Sequence, residues 1–282
     1  MQNSTAKIAI AVLHGMGEPN THQTVELKHR VTERYLSLDK HFREDDLVWH
    51  TIEWGESLLP KQQALKKAVN YRNDLDYPGL RELFCRFFGA ALSYRSESDW
   101  NIKEQIDSRL REHFGRLASH RRVQPGHTPM VILSHSFSSV LLAEYINEMH
   151  HRQGEQGDVA GLTPLEQFDT LAGLITFGSP LAVYSVFTGH LSQALNITGR
   201  ALPQRSRDAV KWLNFYDKDD VIAYPLKGIN DAWNQAVSEE YEINVGSAAT
   251  SWNPACHNEY WDDGDFFKPV AKYLAGLRKT LE

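Results

Sequence analysis

Val131-Ile132-Leu133-Ser134-His135-Ser136-Phe137-Ser138-Ser139-Val140 is the stretch on which the fold turns. Met130 to Ser134 (MVILS) is a short apolar run with strand character. Val140, Leu141, Ala143, Tyr145, Ile146 and Met149 then recur at helical spacing. Between the two lies a small–x–Ser–x–small pattern, with Ser134 and Ser138 flanking Ser136. A strand that becomes a helix this abruptly needs small side chains where the two backbones approach. The serine at the centre of such a turn is lifted clear of the sheet. The helix N-terminus behind it supplies N–H donors and positive potential.

The rest of the chain supports a sheet around that strand. Lys7 to Leu13 (KIAIAVL) is apolar on both faces, as a strand covered on both sides must be. It runs into the tight turn His14-Gly15-Met16-Gly17. Gln23 to Phe42 places Leu27, Val31, Tyr35 and Leu38 at helical spacing. Leu47 to Trp54 reads as a second strand, Gly173 to Phe177 and Lys211 to Tyr216 as later ones, and Tyr241 to Val245 as the last. Phe266 to Leu277 closes the pattern as a helix. Strands alternating with amphipathic helices predict an α/β fold: a mostly parallel central sheet with helices on both faces. Reactive residues in such sheets collect on the loops after the strands' carboxyl ends.

Residues 1–282 read as a single domain, with 56–120 as a helical insertion or cap before the Ser136 strand. Within it, Asn101 to Leu117 has a one-sided apolar face. Leu83 to Tyr94 (LFCRFFGAALSY) is dense in aromatics and reads as a buried helix, with a lid or interfacial segment as the alternative.

Composition narrows the class. Apolar residues make up 41% of the chain and charged residues 23%, ordinary for a globular protein. A formal charge of -6 argues against a nucleic-acid partner. Two cysteines, Cys85 and Cys256, are too few for a secreted disulfide framework. The first residues carry no signal-peptide pattern, and no apolar run is long enough for a membrane span. The expected compartment is therefore cytoplasmic. His50, His113, His120, His127, His150 and His151 lack ligand spacing, so no metal site is expected.

The Ser136 stretch resembles the nucleophile elbow of the lipase and esterase branch of the α/β-hydrolase superfamily, with Ser134 and Ser138 where those enzymes usually carry glycine. The resemblance covers Ile8–Gly17 and Met130–Leu281 and leaves out 56–120. It implies an α/β-hydrolase fold and a serine hydrolase acting on a carboxylic ester, without a cofactor. It also implies roles. Ser136 would be the nucleophile. His257, in Asn253-Pro254-Ala255-Cys256-His257, would be its base, and the order Ser136, acid, His257 is the one this fold uses. The acidic turn Tyr216-Asp217-Lys218-Asp219-Asp220-Val221 would supply the acid. Alignment with an Asp-Pro-Val pattern favours Asp219 and leaves Asp217 and Asp220 open. Backbone N–H groups of Met16 and Phe137 would form the oxyanion hole. Gly178-Ser179-Pro180 would pair a helix cap, Ser179, with a helix start. The expected partner is a small-molecule or lipid acyl ester. A non-catalytic interaction module on the same fold is the alternative. Acyl length, the choice among ester, thioester and amide, and the oligomeric state are not written in these motifs.

Overall fold

The run Ile8–Leu13 is fully buried, and it alternates between two helical layers. Ala9, Ala11 and Leu13 face one layer; Ile8, Ile10 and Val12 face the other. This is the period-two geometry of a strand with no solvent face. The computed structural model describes residues 7–14, 21–70, 78–95, 100–189, 194–247, 250–252 and 254–282.

Among the described residues, six strands form one sheet: β1 (Ile8–Leu13), β2 (Leu47–Ile52), β3 (Met130–His135), β4 (Leu171–Phe177), β5 (Lys211–Tyr216) and β6 (Glu239–Glu242). Their spatial order is β2-β1-β3-β4-β5-β6, and every neighbouring pair runs parallel. The expected α/β class therefore holds. The order reverses between β1 and β3, the crevice where open sheets of this kind place their chemistry.

Helices α1 (Thr21–Leu38) and α9 (Gly264–Lys279) pack together on one face. Their Leu27, Val31, Tyr35, Phe266, Val270 and Leu274 join the cluster of Ile8, Ile10 and Val131. The other face is covered by α4 (Trp100–Ala118) and α5 (Ser138–Gln156). The one-sided pattern read in α4 is its core face: Ile102, Ile106, Leu110, Phe114 and Leu117 are all buried. Between β2 and α4 lie α2 (Leu59–Asn70) and α3 (Pro78–Arg95). The short helices α6 (Leu181–Thr188), α7 (Gln204–Arg207) and α8 (Asp231–Ala236) complete the set among the described residues.

Two local departures from simple pattern have physical causes. The last strand is Glu239–Glu242, earlier than the Tyr241–Val245 run suggested. Ile243 still donates to the Tyr216 carbonyl at 3.0 Å, but the Val245 N–H turns to the Asp217 carboxylate at 2.7 Å. A buried side chain thus takes over from the ladder. In β4, pairing with β3 steps from Met130↔Leu171 to Val131↔Gly173 and skips Ala172. This irregularity sets Gly173 against α9, where a Cβ would lie 2.5 Å from Tyr273 Cε1. The Tyr273 hydroxyl donates to the Ala172 carbonyl at 2.6 Å and locks the helix there.

Gly173→Ala is expected to lower the unfolding free energy by about 1–3 kcal/mol through overpacking. Urea denaturation measures it, and an unchanged midpoint would contradict this close approach of β4 and α9.

Candidate active site

Ser136 sits at the carboxyl end of β3 with φ 58, one of two positive-φ non-glycine residues among those described. A left-handed conformation costs an L-residue energy, so it persists only where neighbours enforce it. The Ser136 N–H donates to the Phe177 carbonyl at 3.0 Å. The Ser136 carbonyl accepts from the Ser139 N–H at 3.1 Å and from Ser139 Oγ at 2.6 Å. Phe137, the next residue, already has helical angles (φ -62, ψ -22), and the Ser139 and Val140 N–H groups close the first turn behind it. The Phe137 and Ser138 N–H groups lie ahead of that ladder, where helix donors lack an intrahelical acceptor.

Ser134 and Ser138, two residues either side of Ser136, are fully buried. Ser138 Oγ donates to the His135 carbonyl at 2.5 Å, with the Leu13 carbonyl 3.2 Å away, and accepts from Ser134 Oγ at 3.2 Å. Strand and helix are stitched together by hydroxyls that find partners, so their burial leaves no orphaned donor.

Three side chains from distant segments meet here. His257 Nε2 is 2.9 Å from Ser136 Oγ, and His257 Nδ1 is 2.8 Å from Asp220 Oδ2. A carboxylate only accepts, so Nδ1 carries the proton and Nε2 is left to accept from the serine hydroxyl. All three are buried: Asp220 is 2% exposed, His257 1% and Ser136 4%. Water competes little for these hydrogen bonds.

The carboxylate against His257 is therefore Asp220's, not Asp219's. The reason is the turn after β5. Asp217 Oδ1 accepts the Asp219 N–H at 2.8 Å, and the Asp220 N–H reaches the Asp217 carbonyl at 3.1 Å. This tight reversal leaves Asp219 at the half-buried outside and swings Asp220 inward. Asp220 Oδ1 then takes the Ile222 N–H at 3.0 Å, and Oδ2 takes the Tyr260 hydroxyl at 3.0 Å as well as His257. Asp217 is buried too, tying the turn to Val245.

Two supporting residues carried no signal in the sequence. Tyr260 donates to Asp220 and accepts the Asp217 N–H at 2.9 Å, so its oxygen links both acids. Burial and the Asp220 charge push its hydroxyl well above the usual tyrosine range. His135, inside the Ser134–Ser138 motif, donates from Nε2 to the His257 carbonyl at 2.8 Å. Burial, and then His257 beside it, hold its imidazole well below the ordinary histidine range. Gly178, at φ 57, fits under that ring, because a Cβ there would come within 3.0 Å of His135 Nε2.

The other expected residues are placed as follows. Helix α6 begins at Leu181, one residue later than read, with Pro180 rather than Ser179 in the N-cap position; Ser179 Oγ still accepts the Leu181 N–H at 3.2 Å and touches Ser139 Oγ at 2.7 Å. Met16 lies outside the described residues. Its neighbour His14 is described: its ring stacks on Trp261 at 4.1 Å, its Nε2 meets Thr24 Oγ1, and burial lowers its pKa to about 4. Cys256 is buried beside the acids, and burial followed by their charges pushes its thiol up to about 12, which disfavours a thiolate. Elsewhere His50 Nε2 and His113 Nδ1 lie 3.1 Å apart. Among the described residues no three metal-ligating side chains cluster, and no helix is long and apolar enough to cross a membrane.

No protein-family model and no curated protein matches this chain. Among solved structures it is similar to an acetyl xylan esterase, determined as an iodinated complex, at 12% identity and a TM-score of 0.36. That match covers 95% of this chain and 99% of the other.

Two outcomes follow from this geometry. Ser136→Gly relieves the left-handed strain and Ser136→Ala does not, so the glycine variant should be more stable by about 1–2 kcal/mol. Thermal melts of the two variants check this, and equal stability would contradict the positive φ. His14 and His135 are held neutral in the folded state, with pKa values below that of an exposed histidine, about 6.5. The unfolded chain therefore binds more protons in mild acid. Stability should be full above about pH 6.5 and fall towards pH 4, as urea midpoints across that range will show.

Proposed function

We propose that the chain is a serine hydrolase of lipase/esterase type that cleaves a carboxylic ester through Ser136, His257 and Asp220. The observation that carries this reading is the continuous line from Ser136 Oγ through the His257 ring to Asp220, built on a strained serine at a strand–helix junction. The steps follow from the proton positions. His257 Nε2 takes the Ser136 proton as Oγ forms a bond to the carbonyl carbon. The tetrahedral intermediate puts its negative charge on the former carbonyl oxygen, and the Phe137 N–H at the start of α5 is the proposed donor to it. Met16 is proposed as the second donor, by the resemblance of its loop. His257 then hands its proton to the leaving alcohol as the carbon–oxygen bond breaks. Water, deprotonated by the same nitrogen, attacks the acyl-enzyme; the carbon–Oγ bond breaks, His257 returns the proton to Ser136 and the acid leaves.

Asp220 would fix the His257 tautomer and stabilise the imidazolium that forms at each transfer. Tyr260 would hold that carboxylate in place. His135 would act as a positioning residue by anchoring the backbone of His257. Because the His135 ring stays neutral, it puts no second positive charge beside the imidazolium. Nothing in these steps calls for a cofactor, and the substrate class is an acyl ester.

A panel of p-nitrophenyl esters and a fluorophosphonate probe test this reading. Wild-type protein should label at Ser136, and His257→Ala should abolish labelling. Ser136→Ala should lower hydrolysis by at least about 10³-fold. Asp220→Asn should cost between about 10²- and 10⁴-fold, and Asp219→Asn less than about twofold. No labelling at all would favour the non-catalytic module. A larger loss at Asp219 than at Asp220 would overturn the assignment of the acid.

A further inference from the structure

Among the described residues, exposed large apolar side chains occur on α1, α2, α3, α6 and the loops after β5 and β6, and only on α3 do aromatic ones line up along one helix face. On α3, Phe84, Phe88 and Leu92 stand at i, i+4 and i+8 and are 57%, 44% and 70% exposed. The opposite side of the helix is satisfied: Phe87 and Ala91 pack on the core and Tyr94 is buried. Phe87 meets the ring of Phe137, the residue after Ser136, edge-on at 6.0 Å, and α3 touches the turn Pro254–Asn258 that carries His257. Phe187 near the end of α6 is 84% exposed, and Val221 beside Asp220 and Trp252 before the His257 turn also reach solvent. A helix covered only by water has no use for an outer aromatic stripe, and grouped exposed apolar residues mark an interaction site.

Charge says what kind of surface fits. The chain as a whole carries -6. Yet α2 and α3 carry Lys61, Lys66, Lys67, Arg81, Arg86 and Arg95 against the single carboxylate Glu82. We propose that α2 and α3 form a docking face for an anionic lipid surface, with the Phe84–Phe88–Leu92 stripe entering the headgroup boundary. An apolar stripe on helices whose sequence is rich in Lys and Arg suits a layer that is hydrocarbon below and phosphate above. A second copy of this chain would bring the same positive charge to the same face, which disfavours a symmetric dimer there. Docking would set the Ser136 rim against an interface that holds acyl esters. That purpose rests on the ester-hydrolase reading; the binding itself does not.

The test uses the full chain and vesicles of ether-linked phosphatidylcholine with and without about one third phosphatidylglycerol. Ether lipids offer no ester, so binding is read apart from hydrolysis. Co-sedimentation should show at least about tenfold tighter binding to the anionic vesicles, weakening as salt is raised. The combined Phe84→Ser, Phe88→Ser, Leu92→Ser variant should lose about tenfold or more, with its circular dichroism unchanged. Should that variant misfold, Lys61→Glu with Lys67→Glu should abolish the preference for anionic over neutral vesicles. Failure to bind, equal binding to both vesicles, or wild-type binding by both variants would overturn the proposal. So would a concentration-dependent dimer, dispersed by the serine variant, in a chain that ignores vesicles. None of these results bears on whether Ser136 reacts with the fluorophosphonate.

Discussion

A single backbone angle carries the site. With φ 58, Ser136 points its side chain away from both β3 and α5, towards the space where His257 lies. In an extended conformation the same residue would continue the strand, and in a right-handed one it would join the helix. The surroundings leave no such relaxation. The Phe177 carbonyl holds the serine from the neighbouring strand, and Ser139 holds it from the helix. Both partners come from regular elements with buried cores, so the cost of the strained residue is met by packing well away from it.

The second constraint is the pair of buried acids after β5. Asp217 reaches back to Val245 and Asp219; Asp220 reaches across to His257 and Tyr260. Each carboxylate accepts hydrogen bonds at both oxygens, which makes a charge tolerable in a dry interior. Tyr260 joins the two and is held in turn against His135 and Phe177. Asp220, His257 and the turn that carries His257 are thus held by one connected network. His135 closes it by bonding to the backbone of His257 itself.

Much of this was legible in the sequence because it rests on local pattern. Apolar runs gave the strands, and the spacing around Ser136 gave the junction. Chain order singled out His257. The acid was harder. Asp219 and Asp220 are neighbours, and which one faces inward depends on a turn set by hydrogen bonds from Asp217. A motif template cannot see that turn, because it aligns residues and not side-chain directions. Tyr260 and His135 were hidden for a related reason: their partners lie 40 and 122 residues away in the chain. The end of β6 was shifted by the same kind of long-range claim on a backbone N–H. The 56–120 stretch showed its helices in the sequence, yet the outward direction of Phe84, Phe88 and Leu92 needed three-dimensional packing.

The hydrogen bond between Ser136 and His257 spans 121 residues, and the one from His257 to Asp220 spans 37. Loops of that length close late, after local helices and hairpin-range contacts have formed. The turn bearing His257 touches α3, and α9, which follows it, packs on α1 from near the start of the chain. Reactivity at Ser136 would then report on completed folding rather than on any part of it. On the proposed reading, probe labelling during refolding should lag behind helix content and rise only once these distant segments have met, which would make the serine a built-in clock for the final assembly step.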